Sequence, residues 1–334
     1  MQLSRNTKRR LVFYGTLVGL IAFAAVFCTA MPGRSFRGPL GALDAREQRY
    51  VTELRADVRT LAETIGRRDT TRADSLHAAS DALVASLRAA GYDPKRHPYT
   101  TDAVSCDNLD VEIPGDARPT EIVLIGAHYD AVVGVPGADD NASGAAAILA
   151  LARAFHGKHV ARTLRFALFT NEEPPHFWND DMGSLVYARE VKARGENVVA
   201  MLSLESIAYF SDAPGSQHYP PPIGLLYPSR GDFIAFVGNI ASRSLTRHAV
   251  DLFRKTAHVP SEGAALPAAI PGIGWSDQWA FWQVGYPGVM VTDTAPFRNP
   301  NYHRASDVPA TLDYERFARV VAGIEDVVAA LANE

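Results

Sequence analysis

The stretch GAHYDAVVGVPGADDNASG, residues 126–144, sets His128 and Asp130 directly after the apolar run EIVLIGA and crowds Asp139 and Asp140 into the following loop. Carboxylates so close repel one another, and burying them is costly unless a positive charge compensates. The pattern recurs along the chain. Glu172 and Glu173 follow LRFALFT, Glu205 follows VVAMLSL, Asp293 follows VMVT, and FRNPNYHRASD places His303 beside Tyr302. Each residue alone has a plain reading: a polar loop histidine, a solvated acidic pair, or, for Asn141 and Ser143, the cap of the helix AAAILALARAF. Those readings do not explain why so many strands end in a potential ligand. A pair of divalent metals does, because metal ions offset carboxylate repulsion and bind ionised acids and neutral imidazoles. Two metals about 3.5–4 Å apart need a bridging carboxylate, terminal ligands on each side, and a base that is not itself a ligand. Two consecutive glutamates on an extended loop point differently, so one can bind metal while the other faces the water.

The chain has only two cysteines, Cys28 and Cys106, so neither a cysteine-rich zinc site nor a disulfide framework is available. Any metal is held by histidines and carboxylates, which suits Zn, Mn or Co. The 334 residues are 47% hydrophobic and 21% charged, with a formal net charge of −4, an ordinary globular composition with a sizeable core. No long basic stretch runs through the body, which argues against nucleic acid as a partner.

Strands and helices must position these residues. Apolar residues recur at helical spacing from Asp44 to Ala90 and predict two amphipathic helices, broken near Gly66 to Thr71. Strands are predicted over 109–113, 121–127, 164–170, 198–204 and 289–292, and helices over 143–155, 183–194, 233–253 (in one or two pieces) and 314–331. Residues 211–224, SDAPGSQHYPPPIG, read as a Pro-rich loop; with the Trp275–Trp282 segment it is expected to shape a pocket. This alternation predicts an α/β fold, a mixed, largely parallel central sheet with helices on both faces. Such sheets bind ligands at the carboxyl edge of their strands, where the candidate ligands fall.

The N-terminus differs. Arg5, Lys8, Arg9 and Arg10 lie in a basic flank, residues 1–10, ahead of an uncharged run over 11–31. About 20 apolar residues span a bilayer, and the basic flank keeps the N-terminus cytoplasmic, so the run reads as a transmembrane helix or signal anchor. A cleavable signal peptide ending at Cys28-Thr29-Ala30 and a lipoprotein cysteine at Cys28 are the alternatives. All three place the body outside the cytoplasm, periplasmic or extracellular. Residues 32–43, rich in Gly and Pro, read as a linker, and 44–334 as the catalytic body.

HYD at 128–130, GADDNASG at 137–144, NEE at 171–173, the acid Glu205, WSDQWAFWQVGYPGV at 275–289 and NPNYHRASD at 299–307 together resemble the M28 zinc aminopeptidases. The resemblance covers residues 45–334 and implies a zinc-exopeptidase fold, phosphorylase/hydrolase-like, with two Zn2+ per chain. It implies that His128 and Glu205 are terminal ligands of one zinc, Glu173 and His303 of the other, and Asp140 the bridge. It implies Glu172 as general base, Asp130 as the acid that orients His128, and Tyr302 as a donor to the developing oxyanion. Asp277, in the SD motif, receives no role. The implied reaction is hydrolysis of N-terminal residues from peptides with a free N-terminus by metal-activated water. The resemblance also implies a cis peptide at Asp140–Asn141. Glu205 departs from the family's commoner pattern, which has Asp there. Two other readings share the fold: a one-zinc, glutaminyl cyclase-like cyclisation of N-terminal glutamine, and a non-catalytic ectodomain.

Overall fold

The computed structural model describes residues 5–334, without the side chains of Lys8, Arg10, Val12 and Ile21. The first helix, α1, runs Arg5–Thr29 and leaves Leu11, Phe13, Leu17, Val18, Leu20 and Phe23 exposed. Among the described residues no helix is long and apolar enough to cross a membrane, so the span expected over 11–31 finds no support in them. The part of the basic flank at residues 1–4 lies outside the described residues.

The body begins with α2 (Ala45–Arg59), opened by a reciprocal cap: Asp44 Oδ1 accepts from the Glu47 amide at 2.7 Å and Glu47 Oε2 accepts from the Asp44 amide at 2.9 Å. A π-turn over Thr60–Ile65 ends it, and α3 (Ala73–Ala89) follows. These are the two amphipathic helices read from the sequence. The remaining elements are β1 (Lys95–Thr101), β2 (Val104–Ile113), β3 (Arg118–His128), α4 (Gly144–Phe155), β4 (Arg162–Phe169), α5 (Gly183–Ala193), β5 (Asn197–Glu205), β6 (Ile234–Asn239), α6 (Arg243–Thr256), β7 (Ser261–Leu266), α7 (Gln278–Gln283), β8 (Gly288–Thr292) and α8 (Tyr314–Asn333).

The eight strands form one sheet in the order β1-β2-β4-β3-β5-β8-β6-β7. The pairs β3–β4, β3–β5, β5–β8 and β6–β7 are parallel, and β1–β2, β2–β4 and β6–β8 antiparallel. Strand β3 shows why both faces are covered. Val123 and Ile125 join a core with α2, α3, α4, α6 and α8, while Ile122 and Leu124 join a second core with Leu185, Tyr187 and Val191 of α5 and Phe281 of α7. A strand apolar on both sides is stable only between two helical layers.

One expectation needs correction. Residues 233–253 are not all helical: Ile234–Asn239 is strand β6 and the helix starts at Arg243. The run FIAFVG fits either period, and pairing with β8 and β7 decides for a strand. Strands β1 and β7 had no counterpart in the sequence reading. Residues 32–43 also make specific contacts with the body. Pro32 O accepts from Arg254 Nη1 at 3.0 Å, Ser35 Oγ from the Ser261 amide at 2.9 Å, and Gly41 O from Arg319 Nη2 at 2.5 Å.

Candidate active site

The parallel arrangement brings the ends of β3, β4, β5 and β8 to one edge. His128 is the last residue of β3, Glu205 the last of β5, and Glu172 and Glu173 lie just past β4. The loop from β3 to α4 folds over this edge through its own polar residues. Asn141 Nδ2 donates to Leu204 O at 2.8 Å, while Asn141 Oδ1 accepts from the Gly144 and Ser206 amides at 3.0 and 3.1 Å. Position 144 must be glycine, since a Cβ there would stand 2.3 Å from Leu204 O. The Asp140–Asn141 peptide is cis, as the resemblance implies.

Two trios of donors result: His128, Glu172 and Glu205, and Asp140, Glu173 and His303, with the atoms of each trio within 4.8 Å of one another. Asp140 joins them. Its Oδ1 lies 3.3 Å from His128 Nε2 and its Oδ2 lies 3.1 Å from His303 Nε2. Glu205 Oε2 is 3.1 Å from His128 Nε2, Glu172 Oε2 is 3.9 Å from the same atom, and Glu173 Oε2 is 3.3 Å from His303 Nε2.

Four buried carboxylates thus face two imidazoles. The site is short of positive charge, and its proton affinities show it. Burial, with the charges of Glu205 and Glu173, pushes the Glu172 carboxyl well above its ordinary range. Burial and the Asp140 charge push Glu173 up to about 8. Burial alone would lower both histidines. His128 is instead raised well above its ordinary value by Glu172 and Glu205, and His303 is raised to about 10 by Asp140 and Glu173. Burial would raise Asp140, but the two histidines hold it well below the usual carboxylate range. Buried Glu173 Oε1 and His303 Nε2 have no hydrogen-bond partner among the described residues. Excess negative charge, unpaired donor atoms and a nitrogen-oxygen ligand set fit a pair of divalent ions of the zinc type.

Other side chains hold these groups in place. Asp130 Oδ1 and Oδ2 accept the Glu172 and Glu173 amides, each at 3.1 Å, and Oδ1 lies 3.3 Å from His128 Nδ1. Tyr302 stacks on His303, ring centroids 3.8 Å apart. Asp139 and Asp293 reach the same edge but stay outside the trios. Asp139 accepts from the Ala208 amide and Asn299 Nδ2, and Asp293 from the Tyr209 and Ala295 amides. Asp277 is wholly buried with both oxygens unpartnered among the described residues, and burial pushes it up to about 7.

Sequence reasoning missed three supports. Asp307 accepts the Asp139 and Asp140 amides at 2.9 and 3.2 Å, so it sets the loop that carries Asp140; its signal was an acid inside the quoted NYHRASD. Ser276, beside Asp277, donates to Glu205 Oε2 at 2.7 Å. Arg68 is fully buried and donates to Tyr129 O, Leu61 O, Gly66 O, Pro136 O and Gly137 O. Nothing in the local sequence marks it.

Residues 108–328 match peptidase family M28. The chain belongs to that family. This M28 peptidase is an enzyme, a hydrolase of peptide bonds. It is 33% identical over 326 residues to the uncharacterized protein YfbL of Escherichia coli K12, a match covering 91% of this chain and 96% of that protein. It is 26% identical over 242 residues to a probable leucine aminopeptidase of Arthroderma otae, covering 68% of this chain and 58% of that protein. The fold of the M28 peptidase resembles that of the LapA aminopeptidase of Legionella pneumophila, with a TM-score of 0.69 and 18% identity over 89% of this chain and 78% of the other.

Proposed function

We propose that the protein is an aminopeptidase that uses two zinc ions and water to remove N-terminal residues from peptides. The observation that carries this reading is Asp140, whose two oxygens face the histidines of two separate donor trios. His128 and Glu205 would hold one ion, Glu173 and His303 the other, with Asp140 shared. Bound ions of this kind supply Lewis acidity and lower the pKa of water towards neutrality.

The chain's own residues do the rest. Glu172, beside a ligand but free to face the substrate, takes the proton from the attacking water and returns it to the departing amine. Asp130 Oδ1, 3.3 Å from His128 Nδ1, favours the tautomer protonated at Nδ1, which leaves Nε2 free to ligate. Through the amides of Glu172 and Glu173 it also sets the angle at which the base and its neighbour leave the strand. The Tyr302 hydroxyl, steadied by the stack on His303, donates to the oxyanion that develops on the scissile carbonyl. The aminopeptidase direction is supported by the names of the relatives.

The test is hydrolysis of aminoacyl-p-nitroanilides with and without a chelator, alongside metal analysis. Turnover that requires metal, with two zincs per chain, is the expected result. One zinc with cyclisation of N-terminal glutamine would replace this reading with the cyclase one, and no metal with no turnover would leave a non-catalytic body.

The proposal extends to place: the body lies outside the cytoplasm, attached to the membrane through residues 11–31. Its support is the uncharged run over 11–31 behind a basic flank. A reporter active only outside the cytoplasm, fused after Glu334, should be active; a reporter active only inside would overturn this.

A further inference from the structure

Beside Glu205 and Tyr302 opens a cavity walled by Phe233, Ile273, Trp275, Met290 and Phe297. The Pro-rich loop contributes Gln217, Tyr219 and Ile223 to it, as the sequence leads one to expect. Its floor is a row of residues in register across four neighbouring strands. Glu205 of β5 pairs with Thr292 of β8, Thr292 with Ala235 of β6, and Ala235 with Glu262 of β7. Directly paired residues point to the same side of a sheet, and all four line the cavity. With strands about 4.8 Å apart, the row sets the Glu262 backbone about 14 Å from that of Glu205.

The polar groups at the far end are spent, with one exception. Tyr227 OH donates to Gly263 O at 2.8 Å and Tyr219 OH to Pro228 O at 2.6 Å. Arg254 places Nη1 on Pro32 O, Nη2 on Ser261 O and Nε on Ser261 Oγ, and its nearest approach to Glu262 is 3.7 Å, beyond a hydrogen bond. Gln217 is held by Thr294, Arg298 and the His218 carbonyl. Glu262 accepts no side-chain hydrogen bond among the described residues. Its half-buried carboxylate offers acceptor capacity and no donor.

We infer that this cavity receives the side chain of the substrate's N-terminal residue and that Glu262 selects side chains with an apolar stem and a cationic end, lysine and arginine. This rests on the aminopeptidase reading and names the substrate class of that same site. A residue whose amine and carbonyl lie at the trios beside Glu205 sends its side chain along Thr292 and Ala235. A lysine reaches roughly 6 Å from its Cα, five bonds of about 1.5 Å in a staggered chain, and so extends its ammonium along the row towards Glu262. A leucine stops about halfway and leaves the carboxylate with only its 3.7 Å ion pair to Arg254 and no hydrogen bond among the described residues. Burial raises the Glu262 carboxyl above its ordinary range even though the charges of Arg254 and Arg37 act to lower it.

The test compares kcat/KM of the zinc-loaded enzyme and its Glu262→Gln and Glu262→Ala variants on the 7-amido-4-methylcoumarins of Lys, Arg, Met, Leu and Glu. Met supplies a long uncharged stem. The wild-type enzyme should favour Lys and Arg over Met by at least about tenfold, and both variants should lose that preference while Met and Leu stay within about twofold. Retained turnover of Met and Leu reports an intact fold. Turnover with a Lys-to-Met ratio that Glu262→Gln leaves unchanged overturns the inference alone. Absence of turnover of every substrate overturns the aminopeptidase reading and the inference with it.

Discussion

Ser276 Oγ donates to Glu205 Oε2 at 2.7 Å, and that same oxygen lies 3.1 Å from His128 Nε2. Ser206 Oγ donates to the other oxygen at 2.8 Å. The glutamate is one carbon longer than the aspartate usual at this place, and two hydroxyls brace both its oxygens so that the extra torsion does not loosen it. Replacing Glu205 by Ala should cost close to one zinc equivalent per chain. Ser276→Ala should keep two zincs and weaken one of them about 10-fold, the loss typical when a partner of a metal ligand is removed. Competition with a graded chelator series measures both, and unchanged affinity in Glu205→Ala would mean that Glu205 is not a ligand.

Glu172→Gln tests the base. The amide keeps size and shape but takes no proton, so kcat should fall by about 10²–10⁴ with two zincs retained. Loss of metal in this variant would instead make Glu172 a ligand, which its place 3.9 Å from His128 Nε2 makes a real alternative outcome.

Asp130→Asn should lower zinc affinity about 10–100-fold, because the amide can no longer accept from both the Glu172 and Glu173 amides and also favour His128 Nδ1–H. Isothermal titration of the metal-free protein measures it. An unchanged affinity would reduce Asp130 to a turn residue.

Asp110, remote from the trios, gives the protein an acid-sensitive bond. Burial alone would raise its carboxyl, but hydrogen bonds from His97 and Tyr187 hold it below its ordinary value, with help from the Arg165 charge. A carboxyl whose folded pKa lies below the unfolded value of about 3.9 stabilises the fold fully above that value. The contribution is lost as pH falls through the lower, folded pKa. Asp110→Asn should therefore be less stable than wild type at pH 7, and the gap should narrow below about pH 4. Urea unfolding of both metal-free proteins across that range checks the sign; a gap that widens on acidification contradicts it.

Arg68→Met should destabilise the body by more than about 3 kcal/mol, since it orphans several buried carbonyls at once. Denaturant midpoints of the metal-free proteins show it. A loss below about 1 kcal/mol would mean that water satisfies those carbonyls.

Much of the site was legible in the chain because His128, Glu172, Glu173 and Glu205 each follow an apolar run. Strands buried on both faces read as continuous hydrophobic segments, and parallel neighbours end at the same edge, so His128, Glu172, Glu173 and Glu205 had to meet. The helical pair after Asp44 was equally plain, because its period and cap are local. What lay beyond local sequence depends on partners. The segment FIAFVG fits a helix or a strand until β8 and β7 hydrogen-bond to its two sides, and SEGAAL is too small-chained to announce a strand. Asp307 lies 167 residues from the Asp140 amide it accepts, and Arg68 is 69 residues from the Gly137 carbonyl it holds. Glu262 gained its place opposite Glu205 only through the register of four strands drawn from distant parts of the chain. Which residue types do the chemistry is a property of the chain; which pocket they face is set by long-range pairing, because strand register is decided between segments and not within them.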